Sequence, residues 1–245
     1  MTLPRIYFPA PLARGATITL DKQAAQHVLR VLRLGVGDPL RLFNAEPVGQ
    51  QYGEYEATLL AETGTVRVGD FSPCVTESPL HVTLAQAVSR GERMDYAVQK
   101  AAELGVTRIV PLITEFCVVK LQDERKGKRV AHWQGVVTSA CEQSGRVRVP
   151  VVEAPQTFAD WLAKENADVR LVLDPLAQTT LKQLPPPQGS IALLVGPEGG
   201  LSDQEVMQAK QSGFTGVRLG PRILRTETVP AAALAALQTL WGDWT

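Results

Sequence analysis

The sequence predicts an α/β chain in two parts: a small β-rich, barrel-like domain with one helix over 1–72, then a larger α/β domain over 79–245 on a mostly parallel sheet. Three observations carry this. Short apolar stretches punctuated by Gly, Asn and Pro fill the first seventy residues. Pro73 and Pro79, in DFSPCVTESPL, mark a linker. From Leu80 onward strand-like and helix-like stretches alternate, the pattern of a parallel sheet covered on both faces.

In the first part LRLFNA, YGEYEATLL and TVRVGD are strand candidates. DKQAAQHVLRVLRL interrupts them as a helix, with Asp21 at its N-cap and Ala25, Val28, Leu29 and Leu32 along one face. In the second part LHVTLAQAV reads as a strand, ERMDYAVQKAAEL as a helix that Gly105 ends, VTRIVPLIT as a strand, and a long helix closes near ACEQSGR. VRLVLD, IALLVG and GVRLG are short buried strands, each leading into a turn. KQLPPPQG is a proline-stiffened loop.

Composition bounds the function without giving it. The 245 residues carry 25 basic and 25 acidic side chains, which argues against a simple polybasic nucleic-acid binder. Residues 86–150 nevertheless hold eleven Lys/Arg, among them Lys120, Arg125 and Lys126, against seven Asp/Glu. A basic face and ordinary solvated helix surfaces explain that excess equally well. Cys74, Cys117 and Cys141 form no C-x-x-C pair, and His27, His81 and His132 add no metal-ligand spacing. The start of the chain lacks a signal-peptide pattern and no apolar run reaches the ~20 residues of a membrane span. The expectation is a reducing, cytoplasmic setting with no metal.

Three loops stand out: LDPLAQ after VRLVLD, GPEGG after IALLV, and LGPRILRTET after GVR. Ligands of open α/β sheets settle outside the carboxyl ends of the strands, so the three could line one pocket. GPEGG has no lysine and its Glu198 would repel terminal phosphates, so a triphosphate is a poor fit. A tight turn with no ligand is the plain alternative. Ser202 and Glu205 form a capping box for the following helix, and Pro230 falls in the first turn of the alanine-rich VPAAALAALQTLW helix.

LLVGPEGGLSDQE followed by LGPRILRTET resembles the signature of the SPOUT methyltransferases, and specifically of the ribosomal RNA small subunit methyltransferase E family. QKAAELGVTRIVPL, VVKLQDER and ACEQSGR stand upstream in the family's order, and QHVLRVLRLGVGD resembles its N-terminal PUA-like RNA-binding domain. The resemblance covers nearly the whole chain. It implies a PUA-like β-barrel over 1–72 and, over 79–245, a SPOUT domain with a deep trefoil knot, in a homodimer. The implied activity is methyl transfer from S-adenosylmethionine to uracil N3 in 16S ribosomal RNA, with the RNA met within the small ribosomal subunit.

By the same resemblance the cofactor is held by Leu173, Asp174 and Pro175 in the first loop and by Val195, Gly196, Pro197, Glu198, Gly199 and Gly200 in the second. Leu219, Gly220, Ile223, Leu224 and Thr226 complete it from the third. The expected catalytic groups are Arg225, stabilising charge on a uracil oxygen, and Glu198 or Glu227, taking the N3 proton. A competing role has Glu227 favouring the helix dipole with Arg225 as its ion-pair partner. Arg5, Arg30 and Arg33, with Arg90, Arg93, Lys100 and Arg146, are the expected RNA contacts, and ion pairing on a helix surface competes for Arg30 and Arg33. The chain departs from the family at Phe116, where members have an arginine, and at Val229 and Pro230, in place of small or hydroxyl residues. Two other functions stay open: a SPOUT enzyme acting on another ribosomal or transfer RNA nucleotide, and a non-catalytic RNA-binding assembly protein.

Overall fold

The structure, a computed structural model, describes residues 3–118 and 123–244, with side chains omitted for 123–126. Residues 119–122 of the VVKLQDER motif, Lys120 among them, and the side chains of Arg125 and Lys126 lie outside what the structure describes. The chain divides into two compact units: Met1–Glu77 with Cys141–Val149, and Ser78–Ala140 with Pro150–Thr245. The segment Cys141–Val149 groups with the first unit although it stands deep in the second half of the chain.

The first unit is a five-stranded sheet of β1 (Arg5–Tyr7), β2 (Thr17–Thr19), β3 (Pro39–Phe43), β4 (Gly53–Ala61) and β5 (Thr65–Pro73), in the order β1-β3-β4-β5-β2. The β1–β3 pair is parallel and the other pairs antiparallel. Alternation along β3 and β4 sends Leu40, Leu42, Tyr55, Ala57 and Leu59 into one core with Ile6, Val66 and Val68. Helix α1 (Lys22–Gln26) begins where the sequence predicts, with the Asp21 carboxylate accepting from the Ala24 N–H. Only one turn is α-helical, since His27–Val31 widens into a π-helix in which the Leu32 N–H reaches the His27 carbonyl. The widening keeps Val28 fully buried with Ala25, Leu29 and Leu32 against the same core.

Two of the expected RNA contacts are engaged inside this unit. Arg5 has a side chain 8% exposed, pairs with Glu54 at 2.7 Å and donates to the carbonyls of Cys141, Glu142 and Arg146. Arg146 is 5% exposed and pairs with Glu77 at 2.7 Å, while the other oxygen of Glu77 accepts from the Val147 and Arg148 N–H groups. Both guanidiniums are engaged inside the unit, Arg5 by carbonyls and a carboxylate and Arg146 by a carboxylate. Arg30 and Arg33 are exposed, and Arg33 ends the π-helical turn with a left-handed φ of 56°.

The second unit contains β6 (Val82–Ala87), α2 (Glu92–Glu103), β7 (Arg108–Ile113), α3 (Asp123–Ser144, its last turn in the first unit), β8 (Val151–Val152), β9 (Gln156–Thr157) and α4 (Phe158–Leu162). It continues through β10 (Val169–Leu173), β11 (Thr179–Thr180), β12 (Ile191–Val195), α5 (Asp203–Gln211), β13 (Thr215–Arg218) and α6 (Thr228–Trp241). The sheet is eight-stranded and parallel, in the order β11-β13-β10-β12-β6-β7-β8, with β9 also pairing β7. Every residue of β6 and β12 is buried, as central strands covered on both faces require. Each fully buried Leu or Val there contributes about 1.5–3 kcal/mol. Two residues of β6 are polar: Thr83, whose hydroxyl accepts from Arg108 Nε, and Gln86, a carboxamide with no exposed surface next to the last residue of the strand. Among the described residues no helix is long and apolar enough to cross a membrane.

Candidate active site

The carboxyl ends of β10 and β12 and the segment after β13 open onto one cavity of about 1220 Å³. It is lined by Leu173–Leu176 from the first predicted loop, Val195–Leu201 from the second and Ile223–Glu227 from the third. All the expected cofactor residues line it except Leu219 and Gly220, which line a recess of about 70 Å³. The recess shares Leu173, Asp174, Pro175, Ile223, Leu224 and Val229 with the larger cavity. A further wall was not expected. Asp203, Val206, Met207 and Lys210 line the cavity from α5. Their i, i+3, i+4, i+7 spacing puts them on one face of the helix that the Ser202 capping box starts, a signal already present in the sequence.

The second loop is shaped by its own backbone. A Cβ on Gly196 would lie 2.9 Å from the carbonyl carbon of Gly200 and from the Leu201 nitrogen, so only glycine lets the loop fold back this closely. Gly200 takes a left-handed φ of 76°, and its N–H closes the turn onto the Pro197 carbonyl at 2.9 Å. Ser202 then caps α5, and the returning Glu205 carboxylate accepts from the Ser202 N–H at 3.0 Å and the Glu115 N–H at 2.9 Å. Glu205 is buried and thereby ties the start of α5 to the segment after β7, where Phe116 packs against Gly199.

Glu198 is engaged from outside its loop. One carboxylate oxygen accepts from the Arg90 N–H at 3.1 Å and from Arg93 Nη1 at 3.0 Å. Partial burial opposes its ionisation, but the Arg90 N–H, the loop's own N–H and the Arg93 guanidinium outweigh that and hold the carboxyl below the usual 4.5. Asp174 is fixed differently: it accepts from the Leu176 N–H at 2.9 Å, with Lys210 Nζ at 3.4 Å. Thr226 joins the second and third loops, its hydroxyl donating to the Gly196 carbonyl at 2.7 Å.

Arg225 and Glu227 are held less tightly. Arg225 is exposed, and its carbonyl accepts from Thr228 and Val229 at the start of α6. Glu227 occupies the N-cap of α6 without a side-chain capping bond. Both line the cavity together with Glu198 and Arg93. Arg90 is exposed beside them, whereas Lys100 is half-buried in an ion pair with Glu103 on α2. Pro230 is buried in the first turn of α6, where a missing N–H is harmless.

The geometry agrees with what comparison with known proteins finds. A family model described as an RNA methyltransferase domain matches residues 76–238. A ribosomal RNA small subunit methyltransferase E from Buchnera aphidicola subsp. Schizaphis graminum is 35% identical over 245 residues, covering 98% of each chain. The crystal structure of a ribosomal RNA small subunit methyltransferase E from Neisseria gonorrhoeae bound to S-adenosyl methionine is 41% identical, with a TM-score of 0.91 over all of both chains. A methyltransferase from Legionella pneumophila in complex with the same cofactor is 38% identical, with a TM-score of 0.93 over 99% of this chain and all of that one. Matched along its whole length by these relatives and over most of its second unit by the domain model, the chain belongs to the ribosomal RNA small subunit methyltransferase E family.

Proposed function

We propose that this protein methylates N3 of a uridine in 16S ribosomal RNA, working as a homodimer on small-subunit RNA. The coarser activity, methylation of ribosomal RNA with S-adenosylmethionine as donor, follows from the family and its cofactor-bound relatives. The observation that carries the reading is the convergence of three post-strand loops on one cavity, the second folded back on itself at Gly196 into a backbone cradle too tight to admit a Cβ there. Such a cradle suits a ligand held by main-chain groups. Asp174 and Glu198 suit the donor's amino and hydroxyl groups, and Leu173, Ile223 and Leu224 its flat ring.

When bound, the donor supplies a methyl group already activated on a sulfonium, which calls for no metal. The protein's part is to orient the target nitrogen in line with that carbon and to manage the N3 proton. Arg225, exposed at the cavity, is the group for charge developing on a uracil oxygen. Glu227, with no capping bond to satisfy, is the better proton acceptor. Glu198 is a weaker base, because two donors already hold its anion, and its role is to anchor the second loop.

In this reading the first unit closes as a PUA-like barrel over 1–72 that presents Arg30 and Arg33 to RNA, with Arg90, Arg93 and Lys100 contributing from the SPOUT domain over 79–245. The third loop threads the knot, an arrangement that the Thr226 hydrogen bond to Gly196 would pin. Leu176 and Ile223, 82% and 86% exposed at the cavity, are apolar surface that a second copy would cover.

Calorimetry with S-adenosylmethionine tests the cofactor, and absence of uptake by folded protein, with and without RNA, would remove the reading. N3 methylation blocks pairing, so reverse transcription of small-subunit RNA incubated with the protein and donor is expected to stop at one uridine. A stop at a different kind of base, or only on transfer RNA, would reassign the target.

A further inference from the structure

The one carboxamide buried in the two central strands has a task that the cavity residues do not explain. Gln86, next to the last residue of β6, has no exposed surface. Its Nε2 lies 3.1 Å from the Ala87 carbonyl and 3.2 Å from Thr226 Oγ1. A carbonyl only accepts, so the nitrogen must face Ala87, and the Thr226 hydroxyl gives its single proton to the Gly196 carbonyl at 2.7 Å. The polarity of the relay is therefore fixed: Gln86 donates to Thr226, and Thr226 donates to Gly196. The remaining Gln86 oxygen is buried with no hydrogen-bond partner among the described residues.

An orphaned buried acceptor is costly, and an apolar residue of similar shape would fit a strand whose neighbours are all apolar or small. The relay gives the reason to keep it. Gly196 is where the second loop folds back on itself with no room for a Cβ, and Thr226 belongs to the third loop between Arg225 and Glu227. One carboxamide on the rigid central strand thus sets the separation of the cofactor cradle from the pair of groups proposed to handle the target base.

We infer that Gln86, through Thr226, is a positioning residue for methyl transfer that fixes the Gly196 cradle against the Arg225–Glu227 segment. The inference rests on the proposed reading of the cavity. It touches neither donor nor RNA, so its signature is coupling rather than direct contact.

The test is a double-mutant cycle on the full-length protein, Gln86→Leu against Thr226→Val, reading the S-adenosylmethionine dissociation constant by calorimetry, kcat with both substrates saturating, and thermal unfolding. Each single variant is expected to weaken donor binding or lower kcat about tenfold, and the double variant to match the worse single one. Thr226→Ser, which keeps the hydroxyl, is expected to recover most of what Thr226→Val loses in both readings. Multiplicative losses in the double variant, or wild-type binding and kcat in Gln86→Leu, would overturn the relay. If Gln86→Leu does not fold, the Thr226→Val and Thr226→Ser pair decides: equal donor binding and equal kcat in the two would overturn it as well. Wild-type protein that takes up no donor would instead fail the underlying reading, and the relay's role with it.

Discussion

In the first unit Arg5 and Arg146 are sunk among carbonyls and carboxylates, whereas at the cavity of the second unit Arg225 stands exposed and Glu227 carries no capping bond. The same residue type does opposite work in the two places. A buried guanidinium that satisfies three carbonyls and a carboxylate is part of the fold, because leaving its partners unpaired is expensive. An exposed guanidinium on a cavity wall costs the fold little to keep or to lose, so its presence there has to be explained by what enters the cavity. The second loop, 196–201, stands between these extremes: its backbone is fully determined while its one charge, Glu198, is shared with Arg93 from a neighbouring segment.

The comparison can be broken in four places. The largest effect is expected from Gly196→Ala, whose new methyl would meet backbone atoms at 2.9 Å that no side-chain rotation can relieve. Calorimetry should then detect no donor uptake while circular dichroism stays native, and retained affinity would mean the cradle is not where the donor sits. Next, Arg146→Ala should destabilise by about 1.5–3 kcal/mol in urea unfolding, since it removes a buried guanidinium and leaves half-buried Glu77 with only the Val147 and Arg148 N–H groups. Methyl transfer per folded molecule should hardly change, and a selective loss of RNA affinity in still-stable protein would restore Arg146 as an RNA contact.

Arg225→Ala should do the reverse. Turnover at saturating donor and RNA is expected to fall about a hundredfold, roughly 2.7 kcal/mol of transition-state stabilisation, with stability moved by less than about 0.5 kcal/mol. A large stability change with intact turnover would place Arg225 with Arg5 and Arg146. The smallest effect concerns pH. Because the Glu198 carboxyl is held below its ordinary value in the folded state, its anchor is fully present above the ordinary 4.5 and is lost as pH falls through the lower folded value. Unfolding measured from pH 6 downward should show this extra acid sensitivity in wild type, and Glu198→Gln should lack it.

Much of this was legible before any coordinates. The capping box of Ser202 and Glu205, the Asp21 cap and the apolar runs that became β6, β10 and β12 follow from rules local to a few residues, although of these only β6 and β12 are buried throughout. The loops of the cavity were legible for a related reason, since parallel strands must end on the same side and present their following turns together. The strands β8, β9 and β11 have two residues each, too few to show a period, and the π-helical turn at His27–Val31 has the same apolar spacing as an α-helix would. The grouping of Cys141–Val149 with the first unit left no trace in composition.

By itself, then, the sequence determined the order of the longer strands and helices, the glycines of the cradle and the identity of the charged groups near it, because each depends on neighbours along the chain. Only the tertiary structure decided which arginines are spent on the interior, that Glu198 already has its donors, and that Gln86 reaches Thr226 and Thr226 reaches Gly196 across separations of 140 and 30 residues. The physical reason is that burial and hydrogen-bond partnership between distant segments are set by packing, and a residue's letter carries no record of which carbonyl it will face.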